Sequence, residues 1–578
     1  MRGDRIEDAL ERSGAANLTL LRRRIVHALE HFEHVAVRTA VLVDRHRAEA
    51  STAPGGISLR EFRFGVAGCV LAVAAFLVAR LTAWPPHEDE TLALFVGNRK
   101  LGELLNIVLD ERGGAPLHFL LAAAAAHSGG GLIALRLVSA VFALASIPLV
   151  ALLAARLTDR ATALAATILT SASWVLLFHG VYGRMYSLFL FTSALSYLAL
   201  LWALERDGPW RFALWGLAAI ACVASHPYGA LVLASQGLYV LAVRRHLMKS
   251  LVAFAVVGLL GTPFWLADLR LANRFDVGVA GAGGGKLGRP LPVLEYLSDV
   301  AGDFTASWWL LRAPILLLAG YGFWRLARTR RAAAVLVACV FATPTLAMLL
   351  ARLGSSASPE SRHLIFALPF FMTALAFGLV SLARRFGRAV LVFGLAALVA
   401  AEAGWTYAKT PALVTGDPGA RVAGRDAASA WLAATSRADD IFFGYEPVYL
   451  GAWERNHGVG RIVIPRADSK LAASRLDALQ RPLGRGVWVF DAYDTNNCPC
   501  ARRLAIETRA PWPSARYEVR AFGPYLVVRT RGRTETPKQY LDDAAQVMIV
   551  GKSLFIGDAD INFVTVRRAA DRLGVLGY

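Results

Sequence analysis

Cysteine is scarce: five in 578 residues, too few for a disulfide framework. Three of them, Cys69, Cys222 and Cys339, lie inside apolar runs and read as small hydrophobic fillers. Charge is scarce too, at 18% of residues, and acids are scarcer than bases, 43 against 62. A soluble chain of this length carries more charge and far less apolar surface. The first sixty residues show no cleavable signal pattern, because the first apolar run begins near residue 64 behind a long basic head. No internal repeat is visible.

Apolar runs are abundant. Hydrophobic residues make up 56% of the chain, with a mean hydropathy of +0.45. Runs such as Leu137 to Ala155 and Ala332 to Leu350 are long enough to cross a hydrocarbon core of about 30 Å. The pattern is that of a polytopic α-helical membrane protein. The net charge of +19 does not point to nucleic acid, since Lys and Arg gather in short clusters between the apolar runs.

Residues 1–62 read as a cytoplasmic basic segment, with an amphipathic stretch around Leu18 to Val43 lying near the membrane surface. A match to a glycosylation acceptor at Asn17 falls there by chance. Residues 63–408 read as a transmembrane domain. Its spans lie near 64–83, 132–155, 161–179, 185–204, 212–226, 228–243, 250–267, 313–327, 332–352, 364–383 and 389–407, about eleven in all. The twelve residues Pro116 to His127 suit a re-entrant or interfacial helix better than a span.

Every second turn is basic: Arg156/Arg160, Arg206/Arg211, Arg244/Arg245/Lys249, Arg328/Arg330/Arg331 and Arg384/Arg385/Arg388. The positive-inside rule puts these turns and the N-terminus in the cytoplasm and residues 409–578 outside the plasma membrane. That last part alternates short apolar segments ("DDIFFGY", "RIVIP", "GVWVFDA") with helical stretches, and "YEVRAFGPYLVVRT" reads as a hairpin. It is expected to be an extracytoplasmic α/β domain. Cys498 and Cys500 would sit there in an oxidising space, where a local disulfide could form.

The outer ends of the spans receive different residues. "WPPHEDETLALF" (Trp84 to Phe95) sets His87, Glu88, Asp89 and Glu90 where the chain leaves an apolar run. A solvated loop is one reading. Burying charge at a membrane edge is costly, however, and an acid there can take a proton from an incoming hydroxyl. His87, Glu88 and Asp89 could instead hold a divalent cation; no other cofactor is implied. "HGVYGRMYSLF" delivers Arg184 and Tyr186 to the same face, and "SRHLIFALP" delivers Arg362 and His363. Each arginine either snorkels at the interface or forks a phosphate. His226, in "HPY" at a span end, suits an aromatic belt or a substrate contact. Carboxylates with arginines at one membrane face suit group transfer from a lipid-linked phosphate.

These stretches, with "GAPLHFLLAAAAA", the run from Leu132 to Phe191 and "SHPYGALVLASQGLYVL", resemble the GT-C glycosyltransferases. The branch is that of protein O-mannosyltransferases and bacterial aminoarabinose transferases (glycosyltransferase family 39). The resemblance covers roughly residues 64–383. It implies a polyprenyl-phosphate-sugar donor, an inverting transfer and a cell-envelope acceptor, whether protein, lipid or polysaccharide. The family's Asp-Glu pair matches Asp89 and Glu90 as catalytic residues, its "EAR-x-Y" arginine matches Arg184, and the arginine of its late "RY" matches Arg362. Tyr186, His226 and His363 join them as substrate-binding candidates. Two departures stand out: "GAPL" where relatives carry "HPPL" or "NPPL", and Tyr182 where many carry Glu. The rival readings are a transporter or lipid flippase, and a non-catalytic membrane scaffold in which Asp89, Arg184 and Arg362 need not meet.

Overall fold

The computed structural model describes residues 57–111, 115–205, 208–274, 290–306, 309–350, 361–414, 418–465, 469–491, 515–534 and 536–554. Cys498, Cys500 and the amphipathic head lie outside them. The chain divides into two compact units, Met1–Arg63 and Phe64–Tyr578. Nearly all of the described residues belong to the second.

After α1 (Leu59–Arg80) come three short helices, α2 (Glu88–Gly97), α3 (Leu101–Glu111) and α4 (Pro116–His127). A long helix comes next, α5 (Gly131–Leu157), and then α6 (Arg160–Ala172) and α7 (Trp174–Val181), bent by 52° at Ser173. Asp159 caps α6 by accepting from the Thr162 N–H at 3.1 Å. At the break, Glu402 accepts from the Trp174 N–H at 3.1 Å. A carboxylate deep among apolar helices thus satisfies a donor that a helix start leaves open.

The bundle continues through α8 (Tyr186–Glu205), α9 (Pro209–Ser225) and α10 (Gly229–Val243). Side-chain hydrogen bonds tie these three. Trp215 donates to Gln236 at 2.9 Å, Gln236 to Ser196 at 2.8 Å, and Tyr197 and Ser235 share a bond of 2.5 Å. In lipid, where apolar faces have no reason to prefer one another, such contacts select the partner. Next are α11 (Leu247–Leu260) and α12 (Thr262–Arg274), a second bent pair. Then come α13 (Pro290–Phe304), α14 (Trp309–Thr329) and α15 (Arg331–Leu350). A 3₁₀ turn (Ser361–Ala367) leads into α16 (Leu368–Phe386), and α17 (Arg388–Val414) closes the bundle. Helices α14 and α16 meet backbone to backbone, since a Cβ on Gly322 would fall 1.9 Å from the Ala374 carbonyl oxygen. Only glycine permits that approach.

Seven described helices are long and apolar enough to cross a membrane, or up to nine if each bent pair is one span. Helices α9 and α10, at 17 and 15 residues, are apolar but shorter. Helices occur at the positions of the expected spans. The difference lies in length, which periodicity reads less well than position.

Beyond α17 stand α18 (Pro418–Thr435), β1 (Ile441–Phe443), α19 (Pro447–Arg455), β2 (Ile462–Ile464), α20 (Ser469–Asp477), β3 (Gly486–Asp491), β4 (Tyr517–Phe522), β5 (Tyr525–Thr530) and α21 (Pro537–Leu554). The sheet runs β2-β1-β3-β5-β4. Strands β2, β1 and β3 are parallel, while β4 and β5 form the expected hairpin, turned at Gly523 with φ +58°. One sheet face packs Trp488 and Ile464 against Tyr540 and Leu541 of α21. The other buries Phe442 and Val527, with Tyr449 and Trp453 of α19, in a core that also holds Leu94 and Phe95 of α2 and Phe119 of α4. The sheet and the short helices after α1 therefore share one interior. Each such side chain contributes about 1.5–3 kcal/mol when fully buried. This shared core anchors α2, which begins at the acidic motif, and it gives the twelve-residue α4 a sheet-side partner.

Candidate active site

Helix α2 starts with His87 as its N-cap. The ring Nδ1 accepts from the Asp89 N–H at 3.1 Å, and Glu90 reaches back to the His87 N–H at 2.8 Å, a reciprocal capping box. The three acids occupy the first turn, where the helix dipole favours negative charge. Local helix chemistry thus explains why acids crowd here, and it fixes where each one points.

The two central acids have different fates. Glu90 is fully buried. Its Oε1 accepts from Arg136 Nε at 2.8 Å and the Gly183 N–H at 2.7 Å; its Oε2 accepts from Arg136 Nη2 at 2.8 Å as well as from His87. Arg136 also donates to the carbonyls of Leu81, Trp84 and Pro85 at 2.7–2.9 Å. A charge in the second turn of a long apolar helix is thereby neutralised and saturated. Glu90, a catalytic candidate expected to orient acceptor or donor hydroxyls, has both oxygens spent on protein donors. Gly183 is required at this junction: a Cβ would meet Leu135 at 2.6 Å and Glu90 Oε1 at 3.2 Å.

Asp89 is different. Its side chain is 43% exposed, and it pairs with Arg184, which is only 4% exposed. Arg184 Nη1 is buried and has no hydrogen-bond partner among the described residues. The Arg184 guanidinium lies 5.1 Å from the centre of the Tyr186 ring, and Arg362 lies 5.4 Å from the same ring. His226 and His363 stand 5.6 and 6.0 Å from it, and 5.5 Å from each other. Two segments distant in sequence, at His226 and at Arg362–His363, therefore converge on Tyr186, and a third, at Asp89, joins through Arg184, which goes against the scaffold reading. Ser361, at the head of the 3₁₀ turn carrying Arg362, donates to Asp303 of α13.

Sequence reasoning misses Arg136 and His118 in this neighbourhood and notes Tyr182 only as a departure from the family pattern. Arg136 sits unremarked within an apolar run, although a charge there demands a partner. Tyr182 packs 5.5 Å from Trp84, 5.7 Å from His87 and 5.2 Å from the Arg136 guanidinium. His118, just after the divergent "GAPL", is 5% exposed. Burial and Arg184 push it down to about 4, against the pull of Asp89. Burial and Arg184 also lower His87, while Asp89 and Glu90 oppose them. Both rings are neutral near pH 7, so the positive charge beside Asp89 comes from guanidinium. Among the described residues, no three His, Cys, Asp or Glu side chains form a set that could hold a metal ion, the candidate trio His87, Glu88 and Asp89 included.

This arrangement occurs on a recognisable scaffold. The structure of ArnT from Cupriavidus metallidurans bound to undecaprenyl phosphate matches with a TM-score of 0.50 and 14% identity, over 82% of this chain and 98% of that one. The likeness to this ArnT structure is one of fold. ArnT in the apo state gives 0.49 and 15%, over 81% and 98%. The Archaeoglobus fulgidus oligosaccharyltransferase in complex with Zn and sulfate gives 0.47 and 13%, over 72% and 67%. No protein-family model matches the chain, and no curated protein matches it.

Proposed function

We propose that the protein is a multi-pass membrane glycosyltransferase, moving a sugar from a polyprenyl-phosphate donor to a cell-envelope acceptor on the outer face, with inversion. The carrying observation is the Asp89–Arg184 pair: a half-exposed carboxylate on a buried guanidinium with one unpaired arm, beside Arg362 on the same tyrosine. The undecaprenyl phosphate held by the ArnT neighbour supports the donor class.

A donor phosphate approaching Tyr186 meets two guanidiniums whose planar forks match its oxygens. It competes with Asp89 for Arg184, so that the carboxylate turns toward the acceptor. The acceptor oxygen attacks the anomeric carbon while Asp89 takes its proton. The bond from that carbon to the phosphate oxygen breaks, and polyprenyl phosphate departs with both electrons. Arg184 and Arg362 hold the charge that develops. Glu90 acts through others: it fixes the first turn of α2, Gly183 and Arg136, and so aims Asp89 and Arg184 at each other. The N-terminus faces the cytoplasm and residues 409–578 lie outside.

The test is transfer itself. Purified full-length protein in vesicles is given a panel of radiolabelled polyprenyl-phosphate sugars with membrane extract as acceptor. Label should move from one donor into product. No transfer from any donor, with the protein folded, overturns the reading. Reporter fusions near residues 100 and 450 should report outside, and near 158, 246 and 386 inside.

A further inference from the structure

Glu402 is a buried acid that the transfer mechanism does not use. It lies on α17, a helix apolar enough to span, and is 5% exposed. A carboxylate in such a helix is costly, and it points to a function whose partners have to be named. Among the described residues no cation pairs with it, and Asp303 stands near enough to repel it. Its partners are two backbone donors, the Trp174 N–H at 3.1 Å and the Ala306 N–H.

Neither contact follows from local need. Ser173, the N-cap of α7, belongs to the residue class that caps helices from within the chain. Its hydroxyl is nevertheless buried with no hydrogen-bond partner among the described residues, and the cap comes from Glu402 instead. Ala306 sits at φ +58°, a conformation that an L residue keeps only where its surroundings enforce it. The acid thus holds two chain segments that would otherwise settle differently.

Each donor begins a route to one of the two guanidiniums over Tyr186. From Trp174, helix α7 runs for eight residues, about 12 Å, and Arg184 follows just beyond its end. Ser187 fixes that end by donating to the His179 carbonyl at 2.7 Å, and Ser139 by donating to the Arg184 carbonyl at 3.1 Å. Helix α7 is therefore a short strut from Glu402 to Arg184. From Ala306 the chain leads back to Asp303 of α13, which is 8% exposed and accepts from Ser361, the neighbour of Arg362. The strut and the α13 route end at guanidiniums 5.1 and 5.4 Å from one ring.

We propose that Glu402 is a positioning residue that sets the spacing of Arg184 and Arg362, and so the fit of a donor phosphate between them. The inference rests on the donor site of the transferase reading. Glu402 touches neither the substrate nor the reacting atoms. Two planar forks on one phosphate are sensitive to small displacements of either, and misplacement that starts far from the chemistry is still costly.

The test measures binding of undecaprenyl phosphate to the full-length protein in nanodiscs, beside transfer kinetics. The wild type should bind it, and Arg184→Gln/Arg362→Gln should not. Glu402→Leu is close in size and removes both acceptors. Its Kd per folded molecule and its donor KM should rise about tenfold, the worth of one charge-assisted contact, while the acceptor KM stays. Glu402→Gln keeps an acceptor oxygen and should recover part of the affinity. Ser361→Ala cuts the second route at a half-buried position and should weaken binding by itself. In that background Glu402→Leu should cost less than in the wild type, because changes along one connected route do not add. If Glu402→Leu does not fold, Glu402→Gln takes its place in the same cycle. A brace with a folding role alone lowers the unfolding midpoint and leaves Kd and KM unchanged. That result, or full additivity with Ser361→Ala, overturns the proposal and leaves the transferase reading standing. A wild type that binds no undecaprenyl phosphate overturns both.

Discussion

Two carboxylate–arginine pairs grow from adjacent residues of one helix turn, and they behave as different objects. Glu90–Arg136 is sealed, at 0% and 1% exposure, with every oxygen of the acid saturated by protein donors. Asp89–Arg184 is open on the acid side, and its arginine keeps an unpaired buried arm. The same chemistry is spent in one pair on holding backbone segments together, and in the other it is held ready for something else. Burial and saturation, rather than residue type, separate the two.

The comparison breaks first at Glu90. Glu90→Ala strands the Arg136 charge in the interior and removes the acceptor for the Gly183 and His87 N–H groups. Breaking a buried pair from one side costs about 3–5 kcal/mol, a large share of a typical domain's stability. Thermal unfolding in detergent should show that loss, and transfer should fall with the folded fraction and with the misplacement of Arg184. If Glu90→Ala is as stable as wild type, the sealed pair is not an anchor.

Asp89→Asn should do the reverse. The carboxylate is half-exposed and asparagine keeps an oxygen that can accept from Arg184, so the stability loss should be smaller than in Glu90→Ala. Sugar transfer per folded molecule should drop by about 10²–10⁴-fold if the carboxylate is the general base. Full activity in this variant would return the acidic motif to a solvated helix start. A fold lost with the activity would erase the distinction between the two pairs.

Much of this is legible in the chain, and the part that is not has a physical reason. The basic turns, the acids at a span end and the arginines of two other span ends each carry a local signal, and together they locate the Asp89, Arg184 and Arg362 cluster. The partner of Glu90 carries none, because 46 residues separate it from Arg136 and only the fold brings them together. A lone arginine in "LIALRLVSAV" is the available clue. Likewise the strands near the C-terminus are visible as apolar segments, yet their sharing of a core with α2 and α4 is not. Each element shows its apolar face but not what that face will meet.

A smaller effect sharpens the comparison through pH. His118, on the short helix α4, is held at about 4, below the usual value near 6.5. Between those values the unfolded chain binds a proton that the fold refuses. The stability this ring contributes is therefore fully present above about pH 6.5 and is lost as pH falls toward 4. The loss is at most about 1.4 kcal/mol per pH unit within that window. Arg184 opposes the imidazolium and Asp89 favours it, so the open pair sets the charge that this ring feels. Stability measured from pH 4 to 7 should flatten in His118→Gln relative to wild type. Equal slopes would show that this ring does not resist protonation.

The smallest effect falls on the residue that begins both pairs. His87 caps α2 through Nδ1, and its own N–H is held by Glu90. His87→Ala removes one cap and leaves the other half of the box, a loss of about 1 kcal/mol. Asn, a good cap of similar reach, should restore most of that stability in His87→Asn. Transfer should fall only mildly, because the Asp89 carboxylate keeps Arg184 even when the Asp89 N–H loses its acceptor. A metal held by His87, Glu88 and Asp89 predicts otherwise. Chelator treatment of the wild type would then mimic His87→Ala, and His87→Asn would rescue the fold without rescuing transfer. Unfolding midpoints and transfer rates for the two variants, each with and without chelator, decide between a helix cap and a ligand.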